Sequence, residues 1–138
     1  MRRIYFISAI ALAIAMLSCS KPKKDDAAAR SAKEYYDSLK AGNSSFFVRG
    51  TYMADTIPDD YREQLEANAR MLVARMDDEH KGVKAVRVAN CINDTIMGVG
   101  GKQSVRIADA FLMLSFGDST KEEIVVPMIL HKGKWMMR

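Results

Sequence analysis

The stretch from residue 104 to the C-terminus constrains the fold most, because it repeats one pattern: an apolar run of strand length, then a turn. Residues 110–116 and 124–130 are filled with apolar and β-branched side chains, Gly117-Asp118-Ser119 separates them, and Lys132-Gly133 closes the second. Such runs joined by such turns predict an antiparallel meander. Successive strand residues point to opposite faces, so Ala110, Leu112, Leu114 and Phe116 share one face, as do Ile124, Val126, Met128 and Leu130. Phe111 and Met113, with Val125 and Ile129, take the other face. A sheet with one face in water shows polar residues there. An apolar second face therefore predicts a cover, either a back-to-back second copy or protein partner, or a loop of the same chain. Pro127 removes a ladder donor, which belongs at an edge or a bulge.

Upstream the period lengthens. Ala28, Ala32, Tyr35, Tyr36 and Leu39 form one stripe of a helix that Asp26 caps and Gly42 ends. Asn43-Ser44-Ser45 reads as a cap for the short apolar segment 46–48, which Gly50 interrupts; the pattern leaves its conformation open. Thr56-Ile57-Pro58 starts a long second helix. Proline fits a first turn, Thr56 or a neighbour can cap, and Asp59 and Asp60 suit the positive end of the dipole. Its expected face is Tyr61, Leu65, Asn68, Leu72, Arg75 and Met76, with the apolar members inward, and Gly82 is its stop. Residues 83–92 then read as a partly exposed strand near an edge, Asn93-Asp94 as a turn, and residues 98–101, with their glycines, as a flexible loop. Helices followed by four strands predict an α+β domain, its helices packed on one face of a curved four-stranded antiparallel sheet.

The N-terminus serves another purpose. Met1-Arg2-Arg3 is positively charged and residues 4–17 form an apolar run of 14, short of the roughly 20 a spanning helix needs, which reads as an export signal. Its end, Leu17-Ser18-Cys19, resembles a bacterial lipobox in which Met16 replaces the usual leucine; an ordinary secretory cleavage nearby is the alternative. The resemblance implies removal of residues 1–18 and acylation of Cys19 at the new N-terminus, with residues 19–26 as tether and 27–138 as the domain. Ser20 rather than Asp after Cys19 implies, by the Gram-negative sorting rule, the outer membrane. Lys24-Asp25-Asp26 resembles a surface-export tag, though further from Cys19 than such tags lie, and reads equally as a solvated tether, so a periplasmic or surface-facing position stays open. Loss of Arg2 and Arg3 from a chain of net charge +4 leaves 19 basic against 17 acidic side chains. Nucleic-acid binding thereby loses its main support. Cys91 is then the only remaining cysteine and reads as a small buried hydrophobe.

Taken together, residues 19–138 resemble small bacterial lipoproteins of cystatin-like, nuclear-transport-factor-2-like fold. The likeness rests on the lipobox, a first helix with the Tyr35-Tyr36 pair, a long second helix, and the closing segments Asp109-Ala110-Phe111-Leu112, Glu123 to Met128 and Lys132-Gly133-Lys134-Trp135. It implies a curved sheet wrapped by helices around a cone-shaped hollow. The inward faces supply candidate lining for that hollow: Tyr35, Tyr36, Leu72, Met76, Leu112, Leu114, Val126 and Met128. The candidate partner face is Phe111, Met113, Val125 and Ile129. Methionine is also the usual filler of gaps in a core, and that reading applies to Met76 and Met128 as well.

Chemistry is thinly supplied. Proton transfer in such a hollow needs a base and a donor, and only Tyr35 or Tyr36 with Asp109, expected to border the cavity, are available. A helix tyrosine more simply packs its ring. His80 reads as a helix C-terminal cation, no pair of residues has metal-ligand spacing, and neither serine nor Cys91 has an evident base. No cofactor or metal is expected. Four of the eleven aspartates precede Ser or Thr, and Thr56, Thr95 and Ser119 resemble acceptors of an O-glycosylation system in some Gram-negative exported proteins; turn and cap chemistry is the alternative. The expected function is a lipid-anchored accessory or binding protein that offers a pocket or sheet face to a small apolar ligand or a protein partner. A small proton-transfer enzyme and a structural envelope component are the alternatives.

Overall fold

The computed structural model describes residues 26–52, 54–97 and 103–138; the export signal, Cys19, all of the tether except Asp26, and the glycine loop lie outside them. The described chain runs α1 (Ala27–Lys40), α2 (Ser44–Arg49), a 3-10 turn (Ala54–Thr56), α3 (Asp59–His80), β1 (Val83–Met97), β2 (Ser104–Phe116), β3 (Lys121–His131) and β4 (Lys134–Met137). The strands pair antiparallel in sequence order, β1-β2-β3-β4. This is the expected α+β layout.

The first helix forms where its caps allow. The Asp26 carboxylate accepts from the Ala28 amide at 3.1 Å, and at the far end Gly42, at φ +90°, turns the chain so that the Asn43 amide bonds the Ser38 carbonyl. Ala28, Ala29 and Ala32 face the sheet beside Tyr35 and Leu39. Three alanines let α1 approach closely, and it lies across all four strands. The buried Tyr35 hydroxyl donates to the Trp135 carbonyl at 2.8 Å and pins α1 to β4. The open segment after it is helical: the Asn43 side chain accepts from the Phe46 amide at 3.1 Å and caps α2. Beyond α2 the Gly50 carbonyl accepts from Met137 at 2.7 Å and the Tyr52 amide donates to the Met137 carbonyl at 2.6 Å, clipping this crossing to β4.

Helix α3 differs from expectation at both ends and along its face. Pro58 occupies the N-cap and no side chain caps the helix. At its end Lys81 takes a left-handed conformation, and the amides of Lys81 and Gly82 bond the carbonyls of Asp77 and Met76. Tyr61 is 49% exposed and Leu72 37%, so neither faces the core, and Ala69 is the residue of α3 that is buried. The physical reason is placement. α3 leans chiefly on α2 and reaches the sheet mainly at its C-terminal end, so its inner stripe is Leu65, Ala69, Val73 and Met76 rather than the row containing Tyr61 and Leu72.

Three features of the sheet also depart from expectation. Asn93-Asp94 is not a turn, because it lies inside β1, where Asn93 pairs with Ala108 and Asp94 with Ile107. The ladder to β2 outweighs the local turn preference of an Asn-Asp pair. Pro127 introduces no bulge, since the β2–β3 register runs unbroken through Asp109–Pro127. Its carbonyl accepts from Arg138, just past the end of β4, so its missing donor faces the side where no strand continues. The irregularities are instead in β1, one between Val83 and Ala85 and a bulge between Val88 and Asn90. The bulge shifts the alternation by one and turns Cys91 into the core behind Val86.

Candidate functional site

Among the described residues, a hollow of about 260 Å³ opens where the C-terminal ends of α1 and α3 straddle the start of β1. Each helix contributes a triplet spaced i, i+3, i+4: Tyr36, Leu39 and Lys40 from α1, and Val73, Met76 and Asp77 from α3. Val83 and Val86 of β1 and Leu114 of β2 form the floor, and the Lys81-Gly82 turn closes one side. The hollow exists because α1 covers the sheet while α3, resting on α2, diverges from it. Its walls are apolar and its mouth is charged. The Tyr36 ring packs edge-on to Phe47 with centroids 5.2 Å apart, and burial pushes the phenol above its usual range, which keeps it a proton donor.

The expected lining residues are divided by the structure. Tyr36, Met76 and Leu114 line the hollow. Tyr35, Leu112, Val126 and Met128 are packed in the core with no free face, and Leu72 lies outside on α3. Burial, helped by the negative charge of Glu34, raises the Tyr35 phenol too, but its hydroxyl is engaged by Trp135. Asp109 does not border the hollow. It projects from the opposite sheet face, 3.8 Å from Arg138, because its neighbours Ala108 and Ala110 point inward. Pattern reading missed Leu39 as lining, and with it Lys40, Val73, Asp77 and the Lys81-Gly82 turn; the signal for them was the shared i, i+3, i+4 spacing at two helix ends.

The outer sheet face carries Phe111, Met113 and Ile129, partly exposed, and Val125, 51% exposed. The Asp109–Arg138 pair sits among them, so any partner on that face meets an ion pair as well as apolar surface. Thr56, Thr95 and Ser119 are all exposed. Asp118 accepts from the Thr120 amide at 3.0 Å, so turn chemistry accounts for that Asp-Ser pair, while Asp94 accepts from the Thr95 amide at 2.7 Å within β1, a local bond of another kind. No group of three metal-capable side chains occurs among the described residues.

A second cluster is a joint. His80 Nδ1 lies 3.0 Å from an Asp118 oxygen and its ring stacks on Phe116 with centroids 4.6 Å apart. The Gly117 amide donates to the Gly82 carbonyl at 2.9 Å and the Asp118 amide to the His80 carbonyl at 3.0 Å. These contacts fasten the end of α3 to the β2–β3 turn. Hydrogen bonds from the Thr120 hydroxyl and amide, with a smaller contribution from His80, hold the Asp118 carboxyl down at about 2. A carboxyl lower in the folded than in the unfolded chain stabilises above the unfolded value, and that contribution is lost as pH falls through the folded one. The urea midpoint is therefore expected to drop between about pH 4 and about pH 2. Asp118→Asn flattens that part of the profile, and an unchanged profile in the variant rules the assignment out.

No protein family profile matches the chain, and no curated protein does. Among solved structures, the chain is similar to a presumptive NTF2-like transpeptidase from Campylobacter jejuni, at 16% identity and a TM-score of 0.48, over 77% of this chain and 92% of that one. No activity passes from one chain to the other at that distance.

Proposed function

We propose that this chain is a lipid-anchored protein of a bacterial cell envelope, held in the outer membrane by Cys19, that offers the hollow to a small apolar ligand and performs no chemistry on it. The observation that carries the reading is where the hollow lies relative to Asp26, where the tether joins the domain. Asp26, the last tether residue, caps the N-terminal end of α1 and bonds Asn93, whereas Tyr36, Leu39 and Lys40 line the hollow at the other end of a helix of 14 residues. At about 1.5 Å per residue, the mouth lies about 15–20 Å along α1 from Asp26, so the hollow and the point where the tether joins the domain are at opposite ends of that helix.

The proton-transfer alternative loses its actors, since Asp109 is on the far face and Tyr35 is bonded to Trp135. Asp77 shares the hollow with Tyr36, yet no hydrogen bond joins them. A purely structural envelope component would have no use for an apolar hollow with a charged mouth.

Metabolic labelling with palmitate tests the anchor. The wild-type chain is expected to carry the label and to begin at Cys19 by mass, and Cys19→Ser to carry none. Equal label in both, or none in either, defeats the proposal.

A further inference from the structure

The mouth of the hollow carries two ammonium groups against one carboxylate. Lys40 ends α1, Lys81 follows α3, and Asp77 lies between them. Among the described residues neither lysine is ion-paired, and both are exposed. Asp77 leans on the α3–β1 turn, with its Oδ1 2.8 Å from where a side chain on Gly82 would begin.

The ordinary role of a lysine at a helix C-terminus is to satisfy the last carbonyls. Backbone donors already satisfy several of them here. The Asp37, Ser38 and Leu39 carbonyls accept from Ala41, Asn43 and Gly42, and those of Met76, Asp77 and His80 accept from Gly82, Lys81 and Asp118. Lys81 moreover sits at φ +61°, a conformation that glycine or asparagine adopts with less strain. A capping role does not account for a lysine at that position or for two lysines lining one apolar hollow.

The Tyr36 hydroxyl, at the same hollow, makes no hydrogen bond among the described residues. Three residues with donor groups therefore line a hollow whose apolar surface includes Leu39, Val73, Met76 and Val86. A neutral apolar ligand would make no use of the two ammonium groups, and a cationic one would meet two like charges. The hollow's 260 Å³ equals the share of about nine waters in the liquid, below the range of drug-sized sites, which begins at about 300 Å³. That size suits one alkyl chain better than two.

We propose that the hollow binds a single-chain carboxylate of medium length, its chain on Leu39, Val73, Met76 and Val86 and its head between Lys40 and Lys81. This rests on the ligand-binding reading above and adds the sign and size of the ligand.

The test is methyl NMR of the full chain in phosphatidylcholine nanodiscs, titrated with decanoate, 1-decanol and decyltrimethylammonium at matched free concentrations. Decanoate is expected to shift the Met76, Val73 and Leu39 methyls and to bind about fivefold or more tighter than decanol, the effect of a close charge at the surface. Shortening the chain weakens binding about fourfold per methylene. Lys40→Gln with Lys81→Asn, which suits the left-handed position, brings decanoate down to decanol while the methyl shifts persist. Decanol or the ammonium binding as tightly as decanoate overturns the head-group assignment and leaves the ligand-binding reading standing. No methyl shift with any of the three overturns both.

Discussion

Gly50→Ala is expected to destabilise the fold by about 2–4 kcal/mol, combining an overpacked core with a lost buried hydrogen bond. The backbone there is ordinary right-handed helix, φ −75° and ψ −3°, so alanine fits the chain itself. What it does not fit is Tyr35: a Cβ would lie 2.3 to 2.7 Å from three atoms of that ring. The ring cannot simply swing away, because its hydroxyl holds the Trp135 carbonyl and its face meets Phe46 at 5.6 Å. The strain is therefore shared by α1, α2 and β4, the three elements that meet at this point. Urea denaturation with an unchanged slope checks it. A second variant, Tyr35→Leu in the Gly50→Ala background, should recover part of the loss, because residues in contact are not additive. A loss below about 1 kcal/mol, or strict additivity, shows that Tyr35 does not lock this crossing.

Leu112→Ala is expected to lose about 3–5 kcal/mol. Leu112 is 0% exposed, at the centre of β2, between Val88 of β1 and Ile124 of β3. The alanines of α1 that face the sheet cannot reach into the space it would vacate, so the cavity stays. Val125→Ala, on the other face and half-exposed, should lose no more than about 1 kcal/mol in the same assay. Comparable losses at the two positions would mean that the outer face is as deeply covered as the inner one.

The contrast between Leu112 and Val125 follows from a period that was already legible in the amino-acid string. Alternation assigned Ala110, Leu112, Leu114 and Phe116 to one face, and all four are buried. It also placed Asp109 opposite Ala110, and the expectation that Asp109 borders a cavity failed by overlooking that rule. The caps of α1 and α2 were legible for a similar reason, since a side chain reaching an amide two or three residues away depends on nothing distant. Asn93-Asp94 misled because a turn preference is local while the strand that overrides it is paired to residues beyond the glycine loop.

The functional site was far less legible than the elements that build it. Its lining comes from two helices, two strands and a turn, and only their mutual placement makes the i, i+3, i+4 triplets of α1 and α3 face one another. Helix α3 shows the limit most clearly. Its 22 residues offer apolar side chains around much of the circumference, so periodicity could not say which would turn inward, and contact with α2 selected Ala69 over Leu72. What the residues decide alone is each element's type, its ends and the apolar face of each strand, because these depend on backbone preference and short-range hydrogen bonds. Where the helices rest on the sheet, and so where a hollow is left, is decided only by the assembled fold. Apolar burial has no direction of its own, and several placements would satisfy the same stripes until close packing picks one.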